Sequence, residues 1–200
     1  DGVWKFKLLD SVNDLTTEIL EESFGGAHWR DIQVPGAWTR QISEDKPHYT
    51  NIVMPWSGYE PPDVPDDNPT GIYQKVINIS ASSISDMCIL HIGSAESIVL
   101  VFCNGVFIGL GKDSRLPSEF NLTPYLREGE NVLTLVIPKW SDATWIEDQD
   151  HWFHGGLHRS LWIERKESLH ISDVHLVCDF DPKDSRGSLE GKVLISQLKQ

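Results

Sequence analysis

Short runs of β-branched and large apolar residues, separated by turn residues, recur along most of this chain. The clearest example is "SIVLVFCNGVFIG", in which Asn104-Gly105 divides two apolar runs. A type I′ turn needs positive φ at both central residues, and Asn-Gly meets this requirement well, so the stretch predicts a β-hairpin. A chain with this feature is expected to fold largely from antiparallel strands.

The rest of the first 166 residues repeats this pattern. Alternating or β-rich stretches predict further strands at "VWKFKLL", "WRDIQVPGAW", "GIYQKVINI", "MCILHIG", "NVLTLVIPKW" and "HRSLWIERK". Many short strands with turn residues between them are typical of a β-sandwich or jelly roll, so the fold class is all-β. A poor helical pattern near the start, "SVNDLTTEILEESF", does not change this prediction.

Two segments depart from the pattern. Residues 59–71, "YEPPDVPDDNPTG", hold four prolines and four acidic residues. Such a segment cannot continue a sheet ladder, and it predicts a long ordered loop or an extended polyproline-like connector. Residues 168–180 and 187–197 predict two strands around the turn "DPKDSRGS". They suggest the start of a second all-β domain, so we expect the chain to be a fragment of a longer protein.

Charge and cysteine content exclude several functional classes. Lys plus Arg number 17 and Asp plus Glu number 30, a formal charge of −13, so nucleic acid is not an expected partner. No apolar run reaches about 18 residues, so no membrane span is expected. The odd, widely spaced set of Cys88, Cys103 and Cys178 argues against a disulfide framework or a CxxC metal site. Cys103, inside an apolar run, is expected to be a buried small hydrophobe.

The stretch "WIEDQDHWFHGGLHR", from Trp145 to Arg159, concentrates the candidates for chemistry. Glycosidases need two carboxyl groups about 5 Å or roughly 6.5–9.5 Å apart across a sugar. Glu147 and Asp148 are adjacent, so in an extended segment they point to opposite faces. We therefore expect these two acids to cap turns or pair with Arg159. Asp150 remains as a candidate ligand for a hard cation, which takes oxygen ligands.

Three histidines in this stretch, His151, His154 and His158, have the spacing H-x2-H-x3-H, which would suit zinc on a helical face. Gly155-Gly156 interrupts any helix between the second and third, so zinc is the minority interpretation. The eight tryptophans offer another route to binding. Most tryptophans in a β-sandwich fill the core, and we expect one or two to face a ligand such as a sugar ring.

Six collinear stretches together resemble the N-terminal sugar-binding jelly roll of glycoside hydrolase family 2, specifically that of β-galactosidases. They are "HWRDIQVPGAW", "HYTNIVMPW", "PPDVPDDNPTGIY", "FCNGVFIGLGKDSRLPSEFNLTPYLREGENVL", "KWSDATWIEDQDHW" and "GGLHRSLWI". The resemblance covers most of residues 1–165 and implies a galactose-binding-domain-like jelly roll over residues 1–166. The tail resembles the opening strands of the immunoglobulin-like domain that follows in those enzymes. It implies a truncated second domain over residues 167–200.

The resemblance also implies roles for individual residues. Asn51 of the "YTN" motif reaches into the galactose pocket, with Tyr49 beside it, and Asp150 binds the galactose 6-hydroxyl and a sodium ion. A carboxylate can accept a bond from a hydroxyl and ligate a hard cation, while an amide both donates and accepts. The run from His151 to His158 differs from the commonest family pattern and leaves the linkage preference and the contact with the barrel open.

By the same resemblance, the chain is the sugar-binding part of a retaining β-galactosidase that hydrolyses terminal non-reducing β-D-galactose. The two catalytic glutamates of such enzymes lie on a later TIM barrel, so this chain is expected to have no catalytic residue and to be inactive alone. The parent is expected to bind Na⁺ through Asp150 and Mg²⁺ in its barrel, to form homo-oligomers and to be cytoplasmic. The alternatives are a free-standing carbohydrate-binding module and a purely structural role in oligomer assembly.

Overall fold

The computed structural model describes residues 1–21, 26, 28–80, 87–147, 150–167 and 169–197. The strands in this part of the chain are β1 Gly2–Leu9, β2 Arg30–Val34, β3 Gly36–Ala37, β4 Thr70–Ile79, β5 Met87–Ile92, β6 Ile98–Cys103, β7 Val106–Lys112, β8 Ser118–Asn121, β9 Gly129–Pro138, β10 Gly156–Leu157, β11 Leu161–Lys166, β12 Leu169–Asp181 and β13 Arg186–Gln197. The helical elements are α1 Thr17–Glu21 and the 3₁₀ turns Val12–Asp14, Trp38–Arg40, Thr123–Tyr125 and Asp142–Trp145. The predicted all-β fold is confirmed.

Two antiparallel sheets form the body of the molecule, which we call the sandwich. The larger sheet has the strand order β2-β1-β4-β9-β6-β7, and the smaller has the order β11-β5-β8. The short strands β3 and β10 pair with each other, joining Ala37 to Gly156 and Gly36 to Leu157. This small pairing ties the segment after β2 to the segment before β11, and both segments carry candidate site residues.

The predicted hairpin connects β6 and β7. Asn104 has φ 52° and Gly105 has φ 78°, the left-handed values that a type I′ turn requires. The ladder closes at the pair Cys103 and Val106. The Asn104 amide also donates to Asn131 Oδ1 at 2.9 Å, so the turn is held against β9. The hairpin prediction is confirmed.

The core lies between the two sheets. Its most enclosed side chains come from both sheets and include Trp4, Phe6, Val34, Tyr73, Leu90, Ile92, Val101, Leu133, Leu135 and Ile137. A second cluster on the outer face of the larger sheet consists of Leu9, Ile19, Ile72, Phe102 and Val136. Ile19 belongs to α1, so this helix covers that face. Because β6 and β9 are largely buried on both faces, their sequences are mostly apolar with little alternation.

The three cysteines are free thiols. Cys88 and Cys103 are buried and Cys178 is exposed, so the expected burial of Cys103 is confirmed. Burial raises the pKa of the Cys103 thiol to about 11. No described helix is long and apolar enough to cross a membrane.

The proline-rich segment forms an ordered loop that leads into β4. Asn68 exchanges two hydrogen bonds with the backbone of Trp140, both at 2.9 Å. The Trp145 indole donates to the carbonyl of Asp63 at 2.9 Å. These contacts fix the loop against the segment after β9, so the prediction of a long ordered loop is confirmed.

Strands β12 and β13 form a separate two-stranded ribbon. Its exposed apolar side chains include Leu169, Ile171, Val174, Leu176, Val177, Phe180, Leu189, Val193, Leu194 and Ile195. Successive strand residues point to opposite faces, so Leu176 and Val177 show that both faces of the ribbon carry exposed apolar surface. The sandwich, by contrast, buries its apolar face between two sheets.

Candidate functional site

Two loops meet at the end of the sandwich where β4 and β6 begin and β9 ends. We call residues 45–58 the Tyr49 loop, and we call residues 146–147 and 150–158, which include the short strand β10, the Asp150 loop. An antiparallel bridge joins them, since the His48 amide donates to the Phe153 carbonyl at 3.0 Å and the Phe153 amide donates back at 2.7 Å. The bridge places Tyr49, next to His48, close to the residues that precede Phe153.

The Tyr49 hydroxyl donates to Asp150 Oδ1 at 2.7 Å. The Tyr49 ring also contacts the Trp152 ring, with centroids 5.6 Å apart. Tyr49 is 48% exposed and Trp152 is 53% exposed, and Asp150 is also exposed. An exposed carboxylate beside two aromatic rings can accept hydrogen bonds from the hydroxyls of a ligand, while the rings contact the C–H groups of that ligand.

The structure therefore brings Tyr49 and Asp150 into contact, whereas Asn51 lies exposed two residues along the Tyr49 loop. Trp152 was not singled out from the sequence. Its position two residues after Asp150 was an available signal, because that spacing puts two side chains on one face of an extended segment.

A buried charge cluster holds the first residues of the Tyr49 loop. The Lys139 ammonium lies 2.6 Å from Asp45 Oδ1, 2.8 Å from the Lys46 carbonyl and 3.1 Å from His48 Nδ1. An ammonium has three donors, and these three acceptors use all of them. Trp38 Nε1 donates to the other Asp45 oxygen at 2.7 Å. We call these five residues the Lys139 cluster.

Burial governs protonation in the Lys139 cluster. The Lys139 side chain is 0% exposed. Burial lowers the pKa of Lys139, while the Asp45 carboxylate acts in the opposite direction. Burial, and then the Lys139 ammonium, lower the pKa of His48. Neutral His48 is thus favoured as an acceptor for Lys139, which keeps the start of the Tyr49 loop fixed.

A second buried charge supports the Asp150 loop. Glu96 is 4% exposed, and its Oε2 lies 3.1 Å from Arg115 Nη1 and 2.7 Å from His158 Nε2. Its Oε1 accepts from the His154 amide at 2.9 Å. Burial acts to raise the pKa of Glu96, but His158, Arg115 and the His154 amide outweigh it and the pKa lies below its ordinary value. We call these four residues the Glu96 cluster.

The histidines of the Asp150 loop make separate contacts. His151 Nε2 lies 2.6 Å from Arg115 Nη2, and its Nδ1 lies 2.9 Å from the Trp152 carbonyl. His154 Nδ1 lies 3.0 Å from Thr39 Oγ1, and burial lowers the pKa of His154. Within the described ranges, no three His, Cys, Asp or Glu side chains are grouped as metal ligands. The observed partners of these histidines are protein side chains and backbone.

Glu147 holds a turn of the chain that lies before β8. Its Oε1 accepts from the Ser114 amide at 3.0 Å, and its Oε2 accepts from the Ser114 hydroxyl. Arg159 instead donates to the Arg115 carbonyl at 2.8 Å. Glu147 was expected either to cap a turn or to pair with Arg159, and the structure shows that it fixes a turn. Asp148 lies outside the described residues.

The glycine pair of the Asp150 loop packs on the core. A Cβ on Gly155 would lie 2.2 Å from Trp38 Cζ2, and one on Gly156 would lie 2.5 Å from the Tyr73 hydroxyl. Gly156 also has φ +108°, a conformation that glycine adopts without strain. The sequence indicated only that these glycines interrupt a helix, whereas the structure shows that they let the loop approach two buried aromatic rings.

A pocket of about 370 Å³ lies behind the Tyr49 loop. Trp56, Tyr59 and Trp140 supply aromatic walls, and Asp67 supplies a carboxylate. The Trp56 and Trp140 rings meet edge to face with centroids 5.1 Å apart. Small-molecule sites usually measure roughly 300–1,000 Å³. This aromatic pocket is therefore large enough for a small ligand, and it adjoins the loop that carries Tyr49.

The chain is similar to one known family over most of its length. Residues 1–166 match the family model "Glycosyl hydrolases family 2, sugar binding domain". The β-galactosidase of Vibrio cholerae is 35% identical over 198 residues, which are 99% of this chain and 19% of that protein. The β-galactosidase of Photobacterium profundum is 37% identical over 189 residues, 94% of this chain and 18% of that protein. The chain therefore spans about a fifth of the length of these relatives.

Solved structures share the fold at low sequence identity. A Bifidobacterium dentium β-glucuronidase, complexed with coumarin-3-O-glucuronide, has a TM-score of 0.72 at 17% identity, over 98% of this chain and 35% of that one. A Bacteroides vulgatus β-glycosidase has a TM-score of 0.70 at 18% identity, over 99% of this chain and 24% of that one. At these identities the likeness establishes the fold alone.

Proposed function

The chain belongs to the sugar-binding domain family of glycosyl hydrolase family 2, and from that premise we propose that it is the sugar-binding portion of a retaining β-galactosidase. The parent enzyme would hydrolyse terminal non-reducing β-D-galactose residues. Two β-galactosidases at 35% and 37% identity support this substrate class.

The observation that carries the proposal is the contact between Tyr49 and Asp150. The two residues are 101 positions apart, yet a 2.7 Å hydrogen bond joins them at the exposed seam between two loops. Asp150 is exposed, and the bond from Tyr49 comes from a neutral hydroxyl, so its negative charge remains available to a ligand.

We propose that the three residues divide the work of binding galactose. Asp150 accepts a hydrogen bond from the 6-hydroxyl of the sugar, because an ionised carboxylate is an acceptor with about four lone-pair positions. Tyr49 occupies one of these positions and orients the carboxylate. Asn51, exposed on the same loop, both donates and accepts, which suits a second sugar hydroxyl.

Asp150 is also the proposed ligand of a sodium ion. The donor chemistry fits, because hard cations take carboxylate, carbonyl and water oxygens, and Asp150 keeps acceptor positions beyond the one that Tyr49 uses. The described part of the chain groups no three metal-ligating side chains, so carbonyls, water and residues of the parent enzyme would complete the site. Bound there, sodium would supply positive charge beside the sugar 6-hydroxyl.

The remaining parts of the reaction are assigned to the parent enzyme. Retaining hydrolysis needs two carboxyl groups about 5 Å apart, one as nucleophile and one as acid/base. We propose that both are glutamates of a C-terminal TIM barrel, which would also hold Mg²⁺ and would meet this chain at the two loops. Because the chain spans about a fifth of its relatives, it is proposed to be inactive alone, within a homo-oligomeric parent.

We further propose that residues 167–200 begin an immunoglobulin-like domain. The β12–β13 ribbon supports this division, because it forms its own sheet and exposes apolar residues on both faces. A two-stranded ribbon is at best marginally stable by itself and needs further strands to cover its apolar face.

The decisive experiment is Asp150→Ala in the full-length enzyme. A lost hydrogen bond to a charged group costs about 1.5–3 kcal/mol, so KM for an aryl β-galactoside should rise at least about tenfold and sodium activation should weaken. Asp142→Asn, which changes an exposed carboxylate paired with Lys112, should alter neither quantity. If Asp150→Ala leaves KM and sodium dependence unchanged, the chain has only a structural role in assembly.

A free-standing carbohydrate-binding module is the second candidate, and the aromatic pocket favours it. In that case the sugar would bind against Trp56 and Trp140 rather than beside Asp150. Calorimetric titration of the chain with galactose separates the two. Millimolar or tighter binding that Trp56→Ala abolishes and Asp150→Ala preserves would support the module.

A further inference from the structure

The Glu96 cluster lies behind the Asp150 loop, and we propose that Glu96 is a positioning residue for the Asp150 subsite, acting through Arg115 and His151. The identity of the ligand as a galactoside rests on the proposed function. The effect of Glu96 on the loop itself rests only on the contacts described below.

Glu96 first holds the far end of the Asp150 loop. Its backbone forms a bridge with Gly156, in which the Glu96 amide donates to the Gly156 carbonyl at 3.0 Å and the Gly156 amide donates back at 3.2 Å. Its side chain accepts from the His154 amide at 2.9 Å. One residue thus fixes the loop at two positions, by backbone and by side chain.

Arg115 then extends this hold to the near end of the loop. Its Nη1 bonds Glu96 at 3.1 Å, and its Nη2 lies 2.6 Å from His151 Nε2. The same Nη2 lies 3.4 Å from His151 Nδ1, so the guanidinium contacts both nitrogens of the imidazole ring. His151 Nδ1 also lies 2.9 Å from the Trp152 carbonyl. Both ring nitrogens of His151 are therefore engaged.

His151 directly follows Asp150, and Asp150 needs external support. Its φ of 52° is left-handed, which residues other than glycine adopt uncommonly and which the surrounding structure must maintain. Tyr49 bonds the Asp150 carboxylate from the Tyr49 loop, and the His151–Arg115–Glu96 chain fixes the backbone on the other side. The direction of the Asp150 carboxylate is thus set by two independent supports.

The charge of Glu96 is central to this arrangement. Buried ion pairs contribute little net stability, because desolvation offsets their attraction. In Glu96, however, every named side-chain partner belongs to the Asp150 loop or leads to it. The cluster is therefore suited to holding a loop in one geometry.

The test uses Glu96→Gln in the full-length enzyme. Glutamine keeps the shape and the acceptor for the His154 amide but removes the charge that holds Arg115. Partners of ligating residues typically contribute roughly 10- to 100-fold in affinity or activity. We expect KM for a β-galactoside and the half-saturating sodium concentration each to rise about tenfold, with faster amide hydrogen exchange at residues 151–154. The control is Glu119→Gln, whose carboxylate also pairs with a histidine, His91, at 2.9 Å; it should change none of these.

The outcomes separate this inference from the proposed function. Unchanged exchange at residues 151–154 in Glu96→Gln overturns the positioning role. If Glu96→Gln does not fold, Arg115→Met interrupts the same link at a side chain that is 30% exposed, and an unchanged exchange pattern in that variant likewise overturns it. If Asp150→Ala leaves KM unchanged, the proposed function fails, and the exchange measurement still decides whether Glu96 positions the loop.

Discussion

The Lys139 cluster and the Tyr49–Asp150 pair both include residues of the Tyr49 loop but differ in exposure. The Lys139 side chain is 0% exposed and has a partner for each of its three donors. Tyr49 is 48% exposed, and its hydroxyl bonds an exposed carboxylate. Removing one partner of a buried charge leaves the other uncompensated, whereas an exposed group returns to water. The comparison separates residues that hold the loops from residues that are accessible to a ligand.

The largest effect is expected from Lys139→Met. This change leaves the buried Asp45 carboxylate with its Trp38 bond but without the Lys139 ammonium, and breaking a buried ion pair in this way costs about 3–5 kcal/mol. Urea unfolding of the chain at neutral pH should show this loss in the free energy of unfolding. The double variant with Asp45→Asn should recover part of it, because the neutral amide can still accept from Trp38.

An exposed pair provides the control for this prediction. Lys112 lies 2.7 Å from Asp142, and their side chains are 47% and 46% exposed. Lys112→Met should therefore cost less than about 1 kcal/mol, as exposed ion pairs usually do. Equal losses for the two lysine variants would contradict the distinction between buried and exposed charge.

A smaller loss is expected from Gly155→Ala. The new Cβ would lie 2.2 Å from the fully buried Trp38 ring, so the loop or the ring must shift. Overpacking of this kind costs typically about 1–3 kcal/mol. Gly187→Ala, where no atom lies within 4 Å of the added Cβ, is the matched control. A Gly155→Ala variant as stable as this control would show that the loop does not depend on close packing against Trp38.

Acid should weaken the Glu96 cluster. The folded pKa of Glu96 lies below its ordinary value of 4.5, because His158, Arg115 and the His154 amide together outweigh burial. The folded state therefore holds fewer protons than the unfolded state below about pH 4.5, and the stability from this carboxylate is lost as pH falls through the folded pKa. The stability difference between wild type and Glu96→Gln should shrink over that range in urea titrations. A difference that stays constant with pH would contradict this assignment.

The sequence predicted the parts of the molecule that depend on neighbouring residues. Alternation identified the strands, and Asn104-Gly105 located a hairpin whose left-handed φ values the structure confirms. The site depends on contacts between distant residues. Tyr49 and Asp150 are 101 positions apart. The local sequence indicated Asp150 as a candidate cation ligand, whereas Tyr49 was named only through the family resemblance. Glu96 was not named, because a single acid in a short Gly-Ser-Ala connection between two strands has no local pattern that reveals its partners.

The helix-breaking role assigned to Gly155-Gly156 likewise came from local sequence and did not reveal contacts with distant residues. A glycine pair indicates that a helix ends, but the proximity of Trp38 depends on the pairing of β3 with β10. The zinc interpretation of the three histidines was set aside on that local argument alone. Their observed partners, Arg115, Thr39 and Glu96, come from segments far away in the sequence.

Tyr49→Phe is expected to have the smallest effect on stability. It tests directly whether Tyr49 is accessible to a ligand or holds the loops. It removes the hydroxyl that bonds Asp150 but keeps the ring that contacts Trp152. Because both bonded groups are exposed, the free energy of unfolding should change by at most about 0.5 kcal/mol. One hydrogen bond is worth about 0.5–1.5 kcal/mol, so KM of the full-length enzyme should rise roughly twofold to tenfold. Tyr125→Phe, a half-buried tyrosine that accepts from Asn104 through its carbonyl, should leave KM unchanged. A large stability loss with unchanged KM would instead place Tyr49 among the residues that hold the loops, with Lys139.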